Sequence, residues 1–207
     1  MLDVVIDVSH NNTITSWTDI QSSGIVGVLH QATQGTSYVD PAYASRKQEA
    51  LAAGLLWGAY HCGEGGSARE QAEHFLEVVQ PEATDLLVLY WEDAIASPMT
   101  VQEAEWFALH VGIATKRTPG LYVGQTLLTD ALADSRSSIL QHSWLMIAHY
   151  SGQAPEVPQL WPTWSMWQYT STGSVPGVDG DCDRDQFNGD EIDLRRLWGV
   201  EPPELLV

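Results

Sequence analysis

Apolar residues along this chain fall into two alternating textures. Short, nearly continuous apolar runs occupy Val4–Val8, Ile25–Gln31, Leu55–His61, Leu86–Trp91, Gly120–Val123, Trp144–Tyr150 and Trp164–Tyr169. Runs of that length, rich in branched and aromatic residues, read as strands buried on both faces. Between them lie longer stretches of helical periodicity. Pro41–Ala53 carries alanines at helical spacing, and Ser67–Val79 opens on a serine suited to cap a helix. Thr100–Ile113 opens on Thr100 with Glu103 three residues later, the pattern of a capping box, and Gln125–Asp134 is a shorter fourth helix.

Strands that alternate with helices pair in parallel, as an open doubly wound sheet or as a closed barrel. An open nucleotide-binding sheet would carry a glycine-rich phosphate loop after its first strand. Here the first strand ends instead in Asp7, Ser9, His10 and Asn11. Later strands also end in polar or aromatic residues: His61, Glu92, Tyr122, His149, Tyr150, Gln168 and Tyr169. Functional groups at the ends of many successive strands are how a barrel builds a site. The expectation is an α/β fold, an irregular TIM-like (β/α) barrel. Helical pattern thins out after about residue 135, so helices should be depleted in the C-terminal half. A length of 207 residues fits one barrel domain spanning 1–207.

Charge narrows the partners. A net charge of −18 would repel DNA or RNA and disfavours anionic lipid, so neither nucleic acid nor a membrane is expected as a partner. There is no apolar run long enough to span a bilayer. Met1 leads almost directly into Val4–Val8 without a basic region, so no signal peptide is expected. Cys62 and Cys182 cannot make a disulfide framework and are expected as buried free thiols, with a single bridge between them as the alternative.

Candidate chemistry centres on acids. Leu86–Asp93 reads LLVLYWED, an apolar strand that ends in Glu92. A carboxyl at the mouth of an apolar barrel has its charged form disfavoured, which suits a general acid; the alternative is a solvated glutamate that merely opens a loop. Alternation places Tyr90 on the same side as Glu92, with Trp91 opposite. Asp7, in IDVSH, is a second candidate, or else a turn-forming acid. The stretch Asp179–Asp193 packs seven acids into fifteen residues, and a calcium loop fails there in both registers tried. Most of that stretch reads as a solvated acidic loop. No metal-ligand spacing and no nucleophile elbow occur, so no metal and no cofactor are expected. The nine tryptophans and seven tyrosines supply core mass, and those at strand ends also offer faces for sugar rings.

Seven segments in order carry a resemblance: IDVSHNN, QATQGTSYVDPAY, GAYHCG, LYWED, GLYVG, IAHYSG and WQYTSTGSVPGVDGDCDRDQFNGD. Together they resemble the lysozymes of glycoside hydrolase family 25, the Chalaropsis-type muramidases, over Leu2 to Asp193. The resemblance implies cleavage, without a metal, of the β-1,4 bond between N-acetylmuramic acid and N-acetylglucosamine in peptidoglycan. It implies Glu92 as the proton donor, with Asp7 and Asp183 as the other matched acids. It also implies a sugar groove lined by Tyr60, Tyr122, Tyr150, Trp167 and Gln168, into which strand alternation should also point Tyr90. Three positions depart from the family pattern. Tyr90 stands where an aspartate is expected, and Gln31 and Gln34 stand where Lys and Glu are typical.

Two readings follow. One is an active muramidase, a phage endolysin or a bacterial autolysin, working as a monomer on peptidoglycan glycan strands at the cell wall. A phage enzyme would wait in the cytoplasm until released at lysis. The other is a catalytically impaired glycan-binding protein on the same barrel, because Tyr90 supplies no carboxylate.

Overall fold

The computed structural model describes residues 1–92 and 95–200. Asp93 and the Pro-containing end Glu201–Val207 lie outside the described residues. Among the described residues, eight strands close a barrel: β1 (Leu2–Val8), β2 (Gly27–Gln34), β3 (Leu56–Cys62), β4 (Leu86–Trp91), β5 (Gly120–Gly124), β6 (Leu145–Ala148), β7 (Met166–Gly173) and β8 (Cys182–Phe187). β1 to β7 run parallel in that order around the barrel. β8 pairs antiparallel with both β7 and β1 and closes the ring.

The helices are α1 (Trp17–Ser22), α2 (Tyr43–Ala52), α3 (Ala68–Val79), α4 (Val101–Thr115), α5 (Gln125–Ala131) and α6 (Glu191–Leu197). Their starts follow local chemistry. Ser67 accepts from the Glu70 N–H at the head of α3. Thr100 and Glu103 complete the capping box of α4, each side chain bonded to the other's backbone N–H. After α5 the chain crosses between strands in loops and one short 3₁₀ turn, Leu140–His142, so the barrel is irregular in its second half as the pattern implied.

Two apolar layers result. Alternation sends Val5, Leu29, Leu86, Val88, Met146, Met166 and Phe187 inward, where they fill the barrel. Ile6, Val28, Trp57, Leu87, Leu89 and Trp91 face outward, in one layer with Tyr43 of α2, Phe75 of α3, and Phe107 and Val111 of α4. At the N-terminal end of the strands, Trp198 follows α6 and plugs the barrel. Its indole N–H donates to the Trp57 carbonyl at 2.9 Å. A Cβ at Gly27 would stand 3.0 Å from that ring, so glycine gives the plug its room.

The segment expected to be a solvated acidic loop is instead strand β8 leading into α6. Asp190 caps α6 by accepting from the Asp193 N–H, and Glu191 and Asp193 pair with Arg195 and Arg196. Cys62 and Cys182 are unpaired thiols.

His61 shows how the outer layer handles a polar residue. It is fully buried, stacked on Phe107 at 4.8 Å. The Gln71 amide donates to the Glu64 carbonyl, so its oxygen accepts from His61 Nε2 at 3.1 Å, and Nδ1 accepts from the Thr33 hydroxyl at 2.8 Å. Burial lowers the imidazole pKa from 6.5 to about 4. The unfolded chain therefore takes up a proton that the fold refuses, and stability is lost as pH falls from about 6.5 toward 4. Between pH 7 and pH 5, His61→Gln should lose about 2 kcal/mol less stability than the parent. Urea unfolding at both pH values checks this; parallel losses in the two proteins would count against it.

Candidate active site

The C-terminal ends of the parallel strands form the mouth. Asp7 lies near the end of β1, directly opposite Asp183 of β8 in the antiparallel register. Alternation along β8 turns Asp183, Asp185 and Phe187 inward, from mouth to depth. Arg184, between the two acids, points out and bonds Asp3 at 2.8 Å. Asp7 is 3% exposed and Asp185 is 0% exposed, so two carboxyls are withdrawn from water here.

Gln168 of β7 organises the floor of the mouth. Its amide N–H donates to Asp7 Oδ2 at 2.6 Å. Its carbonyl oxygen accepts from the Tyr122 hydroxyl at 3.0 Å and from the Tyr150 hydroxyl at 2.5 Å. Donation to a carboxylate and acceptance from two phenols fix which end of the amide is which.

Three tyrosines from adjacent parallel strands form a wall beside these acids. Tyr90 lies between Tyr60 and Tyr122, with ring centroids 3.8 and 4.0 Å away and planes within 11°. Neighbouring strands are separated by about 4.8 Å, so flat rings at one level of a parallel sheet must stack. All three rings are buried, and the Tyr90 hydroxyl reaches down to the Met146 sulfur at 3.9 Å. Tyr90 therefore shapes the wall from beneath the opening, whereas Tyr150 is 56% exposed at the rim. Glu92 follows β4 directly and is half-buried. Its charge is felt by Tyr60, Tyr122 and the Cys62 thiol, which places it over the same mouth.

Electrostatics follow from burial. Desolvation, and then the charge of Asp183, hold Asp7 well above the usual carboxylate range, while the Gln168 bond pulls the other way. Desolvation raises Asp183 as well. Two carboxyls in hydrogen-bonding contact disfavour each other's ionisation, so the pair holds a proton more readily than either acid would alone.

Of the residues expected at the site, Asp7, Asp183, Glu92, Tyr60, Tyr90, Tyr122, Tyr150 and Gln168 gather at the mouth. Trp167 does not: it belongs to the outer layer, packed edge-on against Trp164 and Tyr169, with its indole N–H on the His149 carbonyl. Gln31 and Gln34 occupy the β2 side, bonded to the Cys62 thiol and to Glu64. Asp185 is a member that the sequence did not single out. Its signal was period-two alternation with Asp183 and Phe187, hidden by the surrounding acids. Asp40, from the QATQGTSYVDPAY segment, anchors the loop after β1 through the His10 backbone N–H and imidazole. Among the described residues, no group of three or more His, Cys, Asp or Glu is arranged to hold a metal ion. A cavity of about 320 Å³, lined by Leu86, Arg117, His142, Trp144 and Arg196, lies at the opposite end of the barrel.

Carboxyls and aromatic faces at the mouth of a closed α/β barrel are the equipment of a glycoside hydrolase. The family model described as Glycosyl hydrolases family 25 matches residues 6–178, and the chain belongs to that family. It is 31% identical to Lysozyme M1 of Streptomyces globisporus, over 93% of this chain and 70% of that one. It is 23% identical to the N,O-diacetylmuramidase of Chalaropsis sp., over 86% and 94%. Among solved structures it resembles the bacterial lysozyme from Streptomyces coelicolor, at 31% identity and a TM-score of 0.86, covering 95% and 97% of the chains.

The tyrosine wall has a spectroscopic signature. Burial raises Tyr60, Tyr90 and Tyr122 well above the ordinary phenol value, raises Tyr43 too, and pushes Tyr150 and Tyr169 up to about 12. Tyr38, at the surface, is raised as well. At pH 11 the folded protein should show phenolate absorbance from no more than about one tyrosine, and the rest should appear together on alkaline unfolding. Ionisation of three or more tyrosines in the folded state would show that the wall is open to water.

Proposed function

We propose that this glycoside hydrolase is a muramidase that cleaves the β-1,4 bond between N-acetylmuramic acid and N-acetylglucosamine in peptidoglycan, with Glu92 as the general acid. The observation that carries the reading is the convergence of Glu92 with the Asp7–Asp183 pair over one mouth, in a chain of family 25. Glu92 is a half-buried carboxyl at the rim, above an apolar strand, where an acid can meet the leaving oxygen. Asp7 and Asp183 present a net negative charge to the oxocarbenium-like centre that develops as the bond breaks. Tyr150, exposed at the rim, offers a sugar ring its flat face above the buried wall of Tyr60, Tyr90 and Tyr122.

The protein acts at the cell wall as a monomer on glycan strands, without nucleic acid or a membrane as partner. No helix among the described residues is long and apolar enough to cross a membrane. A binding protein without catalysis is not favoured. The chain belongs to a hydrolase family, and the Asp7–Asp183 pair at its mouth is set by the β1–β8 register, with the Tyr90 hydroxyl bonded to Asp7.

Glu92→Gln should lower kcat on purified peptidoglycan by at least about 100-fold and leave KM and thermal stability nearly unchanged. The parent should release new reducing ends on N-acetylmuramic acid, identified by mass spectrometry. Ends on N-acetylglucosamine would overturn the bond assignment, and a Glu92→Gln protein that keeps about a tenth or more of parental kcat would overturn the role of Glu92.

A further inference from the structure

Asp185 takes no part in that chemistry, yet it is among the most deeply buried acids of the chain. Its exposure is 0%, and neither carboxyl oxygen has an N–H or O–H donor among the described residues. The contact it does make is with the Asp7 carboxyl. An ionised carboxylate in such a place would lack both water and a donor, at a cost far larger than that of holding a proton. Two carboxyl oxygens brought together away from water are stable only with a proton between them.

We propose that Asp185 is a positioning residue for this centre: its carboxyl stays protonated and donates a hydrogen bond to Asp7 from below. Asp7 then accepts from Gln168, from the Tyr90 hydroxyl and from Asp185, which together fix the plane of its carboxylate against Asp183. The inference rests on the muramidase reading for its kinetic consequence but not for the protonation itself. The titratable groups whose charge couples to Asp185 are Asp7 and Asp3 on β1, Asp183 and Cys182 on its own strand, and Tyr90 on β4, with Tyr169 on β7 and Tyr150 after β6. Asp3 is paired outside with Arg184, and the phenols and the thiol are neutral at working pH. Ionising Asp185 would therefore add negative charge beside Asp7 and Asp183 with no cation inside to meet it. Desolvation, followed by those neighbouring charges, holds the carboxyl well above its ordinary range.

Two substitutions separate a donor from a charge. Asparagine keeps a donor toward Asp7, and leucine keeps the volume but donates nothing. Asp185→Asn should hold kcat within about threefold of the parent, while Asp185→Leu should lose about tenfold or more at unchanged KM, the scale of one hydrogen bond to a charged group. Infrared difference spectra at pH 7 should show a protonated carboxyl in the parent that is missing from Asp185→Asn. A raised carboxyl pKa favours the fold at low pH and is lost as pH rises, so the stability advantage of Asp185→Asn should widen from pH 5 to pH 8. Absence of the protonated carboxyl, parental kcat in Asp185→Leu, or an Asn variant as slow as the Leu variant would each overturn the proposal. A parent that releases no reducing ends would overturn the muramidase reading instead, and the infrared and stability measurements would still decide this one.

Discussion

The eighth strand runs antiparallel to both of its neighbours, and much of the site depends on that reversal. A barrel of parallel strands alone would bring its C-terminal ends, and only those, to the mouth. Because β8 enters at the mouth and descends, its first inward residue is Asp183 at the rim and its next is Asp185 one layer below. The antiparallel register then sets Asp183 opposite Asp7, so three carboxyls converge from two strands. No loop has to be ordered to assemble them. The backbone ladder that closes the barrel is the same one that holds the acids, which ties the geometry of the centre to the integrity of the fold.

Such a cluster is destabilising by itself, and the rest of the mouth reads as a response to it. Burying carboxyls away from water disfavours their charged forms, and like charges at contact distance disfavour them again. The structure meets this with protons and with oriented neutral dipoles rather than with cations. Gln168 donates to Asp7 while gathering two phenols, and Arg184, the nearest guanidinium in sequence, is turned outward to Asp3. The stacked wall of Tyr60, Tyr90 and Tyr122 then keeps water from one side of the acids. Low dielectric strengthens the remaining field at the place where positive charge would develop.

The sequence disclosed the parallel half of the barrel well, for a physical reason. Strands such as Leu86–Trp91 are buried on both faces, inside by the barrel core and outside by helices, so they read as continuous apolar runs. The capping signals at Ser67 and Thr100 were equally plain, because caps are local chemistry. β8 was not legible. Its inward positions near the mouth are acids rather than apolar residues, so alternation in Cys182–Phe187 looked like a charged loop. α1 and α6 are short, and tertiary packing of Trp17, Ile20, Leu194 and Trp198 supports them more than periodicity does. For the site, strand-end position identified Asp7, Glu92, Tyr122 and Gln168. Trp167, which only the family resemblance suggested, lies one step from the inward Gln168 and faces out.

Tyr90 shows why a single missing acid is weak evidence against activity. Read along the strand, it subtracts a carboxylate from the mouth. In three dimensions it lies in a stack between two other phenols, with Asp7 and Asp185 near enough for their charge to raise its own pKa. An aspartate in that slot would add another carboxyl beside three whose ionisation is already disfavoured. A neutral ring therefore suits a site whose negative charge enters from β8. Charge at a barrel mouth is a property of the whole ring of strands, and an acid absent from one strand can be balanced by an acid on another.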